Sequence, residues 1–190
     1  MLLKIKKQLI EIFIDSLAGD RVFSQDLGRK LIVTGQTPTP IEISADGLVI
    51  FRQDLENFHE EADAIIVAQA IYAATVEFKH VQVVADDTDI YIMLLYHYFS
   101  NSLESTMILT PTRHGRCVID IKASVEKLGN MCLEILPAHA LTGCDQVSMH
   151  HSIGKLVMLK TLKLHKYPLN LLGDLYFDFE HVIEQATKFI

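Results

Sequence analysis

Cysteine is scarce: Cys117, Cys132 and Cys144 are the three in 190 residues, an odd number without the spacing of a metal site. Neither a disulfide framework nor a structural zinc organises such a chain, and reduced thiols inside a cell are the simplest account. Long apolar runs are missing too. No stretch approaches the ~20 residues needed to cross a bilayer, and the opening MLLKIKKQLIEIFIDSL is broken by Lys4, Lys6, Lys7, Glu11 and Asp15, so it lacks the continuous core of a secretory signal. The expectation is a soluble intracellular protein with no membrane partner. Positive charge is short, with 17 Lys and Arg against 24 Asp and Glu and a net charge of −7. That balance excludes a surface built as a whole to grip nucleic acid, because such binding neutralises phosphates with Lys and Arg. Any contact of that kind must be local or pass through a bound cation. Repeats, low-complexity tracts and linkers are absent as well, and 190 residues with a 49% hydrophobic fraction fit one domain over residues 1–190.

What is present centres on Val81 to Leu95, VQVVADDTDIYIMLL. A β-branched run, Val81 to Val84, stops against Asp86, Asp87 and Asp89, and an apolar segment follows at once. This reads as a buried strand ending in an acidic turn that starts a helix. Alternation along an extended segment lets Asp87 and Asp89 project to one side and Asp86 to the other. Acids at the carboxyl end of a parallel strand stand where open α/β sheets bind their ligands. An N-cap explains one of the three.

Along the rest of the chain, residues 2–17 carry apolar side chains at mixed three and four spacing before Gly19, which predicts a helix with a wide buried face. Lys30 to Thr34 reads as a strand, and Ile41 to Ser44 with Leu48 to Phe51 as a hairpin around Ala45-Asp46-Gly47. From His59 an Ala-rich helix is expected, with its leading acids at the positive end of the dipole. Helix, strand Val81 to Val84, helix Asp89 to Phe99 and strand Thr106 to Leu109 then make an alternating series that predicts a parallel α/β sheet. A strand at Cys117 to Ile121 follows, with helices at Ala123 to Leu128, Asn130 to Leu136 and around Ala140, and a closing helix from Asp178.

Acids cluster at three element ends: Glu60, Glu61 and Asp63; Asp86, Asp87 and Asp89; and Asp145. Brought together, they would need either protons or a divalent cation. Hard oxygen donors suit Mg²⁺ or Mn²⁺ better than zinc, and carboxylates with retained water are what metal-assisted phosphodiester hydrolysis uses.

In order, Glu61-Ala62-Asp63, Asp87-Thr88-Asp89, Leu141-Thr142-Gly143-Cys144-Asp145 and Ser152-Ile153-Gly154-Lys155 make a pattern that resembles the PIN-like nucleases of the flap endonuclease superfamily, in an uncharacterised animal branch often found beside mobile elements. The resemblance covers residues 59–166. It implies a three-layer α/β fold with a central, mostly parallel sheet and a helical C-terminal extension. It also implies Glu61, Asp63, Asp87, Asp89 and Asp145 as ligands of Mg²⁺ or Mn²⁺, with Asp87, Asp89 and Asp145 catalytic. Gly154, Lys155 and Lys160 would hold the backbone of a nucleic acid, DNA rather than RNA, in the nucleus rather than the cytoplasm. Asp63 stands where the family has a second Glu. Spacing leaves Glu60 open beside Glu61, since Glu60 and Asp63 share a helical face.

Family enzymes begin with a strand bearing another metal-binding Asp, whereas this chain begins on a helix. The first metal position then lacks ligands, as in a truncated or degenerate member. A non-catalytic interaction or nucleic-acid-binding module is therefore the alternative expectation. VVADDTDI also looks like the Asp-x-Asp segment of the haloacid dehalogenase superfamily, which implies phosphoryl transfer through Asp87 but wants a further acidic pair that Asp145 does not supply. The nine histidines are scattered, and ordinary satisfied side chains are the expectation for them.

Overall fold

The computed structural model describes residues 2–19, 30–35, 37–44, 48–59, 61–113, 117–143, 154–164, 169, 171–173 and 176–189. They fall into two units, Met1–Glu61 and Ala62–Ile190.

The first unit holds α1 (Leu2–Gly19) and an antiparallel sheet of β1 (Leu31–Val33), β2 (Ile41–Ile43) and β3 (Val49–Phe51), in that spatial order. The expected hairpin forms, with Ile41 opposite Phe51 and Ile43 opposite Val49. Its turn residues 45–47 lie outside the described residues. Buried Ile41 and Ile43 share one face of β2, and alternation sends Glu42 to the other. Glu42 is buried as well, and tolerably so, because Nη1 of Arg52 lies 2.6 Å and Nζ of Lys30 3.2 Å from its carboxylate. The wide buried face expected for α1 is not found in residues 8–17: Leu9, Ile12 and Phe13 are 62%, 67% and 60% exposed. Three-residue strands span about 10 Å, and an 18-residue helix is about 27 Å long, so this sheet cannot cover it.

In the second unit, α2 (Ala62–Tyr72) widens into a π turn at Ala73–Glu77, closed by the Phe78 N–H on the Ala73 carbonyl at 2.8 Å. β4 (His80–Val84), α3 (Thr88–Ser100) and β5 (Thr106–Thr110) follow as a βαβ crossover, with β4 and β5 parallel and Val83 opposite Leu109. β6 (Ile119–Asp120) joins β5 antiparallel, so the sheet is mixed, in the order β4-β5-β6. The strand expected over Cys117 to Ile121 is cut to two residues. Asp120 Oδ1 accepts from the Ala123 N–H at 2.9 Å and starts α4 (Ile121–Leu128) at that point, which ends strand pairing.

After α4 a 3₁₀ turn, Gly129–Met131, leads into α5 (Cys132–Leu141), then come α6 (Lys155–Lys163) and α7 (Phe179–Phe189). Separate helices were expected around Pro137. Instead α5 runs through it, with Pro137 buried in the helix interior. α3 lies among α2, α4 and α5. Its Ile90, Ile92, Leu94, Leu95 and Tyr98 are all buried, which is why its sequence lacks a clean polar stripe. Each such side chain contributes about 1.5–3 kcal/mol by leaving water. Among the described residues no helix is long and apolar enough to cross a membrane.

Candidate functional site

The acidic turn is placed by the end of the sheet. The Ala85 N–H bonds the Thr110 carbonyl at 3.1 Å, one step beyond β4, after which the chain leaves β5 and turns into α3 at Thr88. Extended alternation therefore stops at Asp87, and the three acids go separate ways. Asp86 Oδ2 accepts from the hydroxyl of Thr112 and lies 4.0 Å from Nε of Arg113. Asp87 is the N-cap of α3, its Oδ1 accepting from the Asp89 N–H at 2.8 Å. Asp89, in the first turn of α3, puts Oδ1 2.7 Å from Nε2 of His139 on α5.

His139 is 4% exposed and is the residue that sequence reasoning missed. Its Nδ1 lies 2.9 Å from Nζ of Lys155, the first residue of α6. An ammonium group only donates, so Nδ1 accepts and Nε2 carries the hydrogen that goes to Asp89. The three groups read as carboxylate, neutral imidazole and ammonium in one chain. Lys155 Nζ also reaches the Gly143 carbonyl at 2.5 Å and the His139 carbonyl at 3.3 Å. A positive charge there suits the carbonyl end of α5. Thr142, at 2% exposure, closes the same corner, its hydroxyl donating to the Ala138 carbonyl at 3.0 Å. The signal that could have singled out His139 is its setting: a histidine between Ala138 and Ala140, two residues before Leu141-Thr142-Gly143.

The remaining expected site residues fall on other elements or outside the described residues. Glu61 is exposed and ends the first unit, and Asp63 is half-buried in the first turn of α2 in the second. Gly154 is the N-cap residue of α6, and Lys160 is exposed in the last turn of that helix. Glu60, Asp145, Ser152 and Ile153 lie outside the described residues. Among the described residues no three His, Cys, Asp or Glu side chains are grouped so that they could hold a metal ion.

Beside the acidic turn a cleft of about 350 Å³ opens at the carboxyl ends of β4 and β5. Asp86, Asp87 and Thr88 line one part of it, and Tyr91, Leu109 and Ile119 supply much of the rest. The place is the one expected for ligands of a parallel α/β unit. No family model, curated protein or solved structure matches the chain.

Proposed function

We propose that the chain is a PIN-like, divalent-metal-dependent nuclease domain that hydrolyses phosphodiester bonds in nucleic acid, DNA in preference to RNA. Its finer architecture in this reading is the three-layer fold of that family, and its place of action the nucleus. The observation that supports the reading is the chain of hydrogen bonds from Asp89 through His139 to Lys155. It joins in space three segments on which the resemblance rests, the Asp87-Thr88-Asp89 turn, the helix end at Leu141-Thr142-Gly143, and Gly154-Lys155.

Hard carboxylate donors suit Mg²⁺ or Mn²⁺. Asp86, Asp87 and Asp89 come within one four-residue segment but do not form a metal cage among the described residues; the further ligands, Glu61, Asp63 and Asp145, are those the resemblance implies. Once bound, such an ion supplies an activated water and stabilises the leaving oxygen. The work of the protein's own groups is positional. Asp87 fixes the start of α3, His139 orients the Asp89 carboxylate, and Gly154 with Lys160 offers an amide and a positive charge to a phosphate.

A second reading, a non-catalytic nucleic-acid-binding or interaction module, is favoured by the same geometry seen from the acids: Asp87 is committed to a helix cap and Asp89 to His139. Calorimetry with Mn²⁺, together with cleavage of single-stranded and flapped DNA by the purified chain, separates the two. Metal uptake and cleavage that disappear in Asp89→Asn are expected. A chain that takes up no metal and cuts neither substrate is the second protein and not the first.

A further inference from the structure

β3 is an outer strand of the sheet in the first unit, and it is apolar on both faces. Leu48, Val49, Ile50 and Phe51 follow one another without a charge or a proline, and all four are exposed, Phe51 to 66%. A solvated edge strand ordinarily carries a guarding charge or proline. The opposite edge has one: Lys30, its side chain 71% exposed, leads into β1. The main chain of β3 is open as well. The Ser44 N–H bonds the Leu48 carbonyl at 3.1 Å and the Arg52 N–H bonds the Pro40 carbonyl at 2.8 Å, with Ile50 opposite Glu42 between them. Alternate residues of an antiparallel ladder face the neighbouring strand, so Ile50 bonds Glu42 while Val49 and Phe51 turn their N–H and carbonyl groups away from β2. Among the described residues these four groups have no partner.

We propose that β3 pairs antiparallel with β3 of a second copy of this chain, across a two-fold axis at Ile50, joining two three-stranded sheets into one of six strands. The open groups fit this partner in register. Val49 falls opposite Phe51 of the second copy and Phe51 opposite its Val49, which closes four backbone hydrogen bonds, and the two Ile50 side chains meet at the narrow, non-hydrogen-bonded position. Aromatic with β-branched, and β-branched with β-branched, are favourable cross-strand neighbours. Charge fits too. The chain carries −7 as a whole, so copies repel over most of their surface, but beside β3 the charges cancel, Lys30 and Arg52 against Glu42 and Asp54. The surface that the four apolar residues expose comes to on the order of 1,000 Å² over two copies, which suits a weak, reversible dimer and not an obligate one. Three strands make a small sheet, whereas six make an ordinary one. The nuclease reading plays no part in this inference.

Sedimentation equilibrium of the full chain tests the number of copies, and amide hydrogen exchange tests the place. A reversible dimer, half-formed at on the order of 100 µM, is expected. Exchange at Val49 and Phe51 should slow as concentration rises, while Ile50, already bonded to Glu42, stays as it is. Ile50→Lys and Ile50→Glu, at a side chain exposed in the single copy, each set like charges against each other at the axis and are expected to weaken the dimer about tenfold or more. Mixed in equal amounts, the two variants are expected to pair again, ammonium opposite carboxylate, as a contact between two β3 strands at Ile50 requires. A parent chain that is monomeric at about 1 mM, a dimer that both variants leave intact, or two monomeric variants that stay apart on mixing overturns the proposal. Slow exchange at Val49 and Phe51 in a chain that remains monomeric gives the edge to another occupant and overturns it as well. Exchange in the parent decides the matter even where a charged variant fails to fold.

Discussion

Asp89 Oδ1 lies 2.7 Å from Nε2 of His139, fifty residues further along the chain, and the other nitrogen of that ring is held by Lys155 at 2.9 Å. An acid on one helix and an ammonium on another are thereby joined through a buried imidazole. Replacing the ring breaks two charge-assisted hydrogen bonds at once. His139→Ala is expected to lower stability by about 2–3 kcal/mol, discounted from the value for a fully buried pair because the Asp89 side chain is 28% exposed. Urea denaturation measures the loss, and long-range nitrogen-proton correlation spectra should show the hydrogen on Nε2. A hydrogen on Nδ1 would contradict the direction assigned to this chain.

Asp87 has two candidate duties, capping α3 and serving the chemistry, and serine separates them. A Ser hydroxyl caps as well as Asp but offers no carboxylate. Asp87→Ser is expected to stay within about 0.5 kcal/mol of the parent in thermal unfolding, while Asp87→Ala loses about 1 kcal/mol. Both are expected to lose metal-dependent hydrolysis. If Asp87→Ser still cuts DNA, the residue is a cap and nothing more.

Acid should weaken the first unit through Glu42. The hydrogen bond from Arg52 holds its carboxyl below the ordinary 4.5, against the opposing effect of burial. A lowered folded value means that the pair stabilises fully above about pH 4.5 and that this contribution fades as pH falls through the folded value. Stability measured from pH 7 to pH 3 should drop in that lower window, and Glu42→Gln should flatten the drop. An unchanged slope in Glu42→Gln would locate acid sensitivity elsewhere.

Gly129 ends α4 with φ +56° and ψ −135°, a conformation closed to residues with a side chain, although a Cβ there meets nothing within 4 Å. Gly129→Ala is thus a test of backbone strain without a clash. A loss of about 1–3 kcal/mol is expected in chemical denaturation. No loss would mean that the turn relaxes into another form.

Local chemistry decided most of the elements in advance. The β-branched run before Asp86 forms β4, Asp87 and Asp178 stand at helix starts, and the hairpin from Ile41 to Phe51 has its register. Caps and alternation act over two to four residues, a range a sequence displays directly. Asp120 belongs to the same class. Its cap was there to read, yet the strand expected through Ile121 overlooked it, and strand pairing gave way to the helix start at that point.

Composition and spacing by themselves set the mixed α/β character, the acidic turn at a strand end, and the shortage of basic surface. Packing alone decided that Asp89 meets His139, because that depends on how α3 lies across α5, and a fifty-residue separation carries no period to read. Packing likewise buried α3 on nearly every side and left Leu9, Ile12 and Phe13 of α1 in the open, since the coverage a helix finds depends on the area of its neighbours and not on its own pattern.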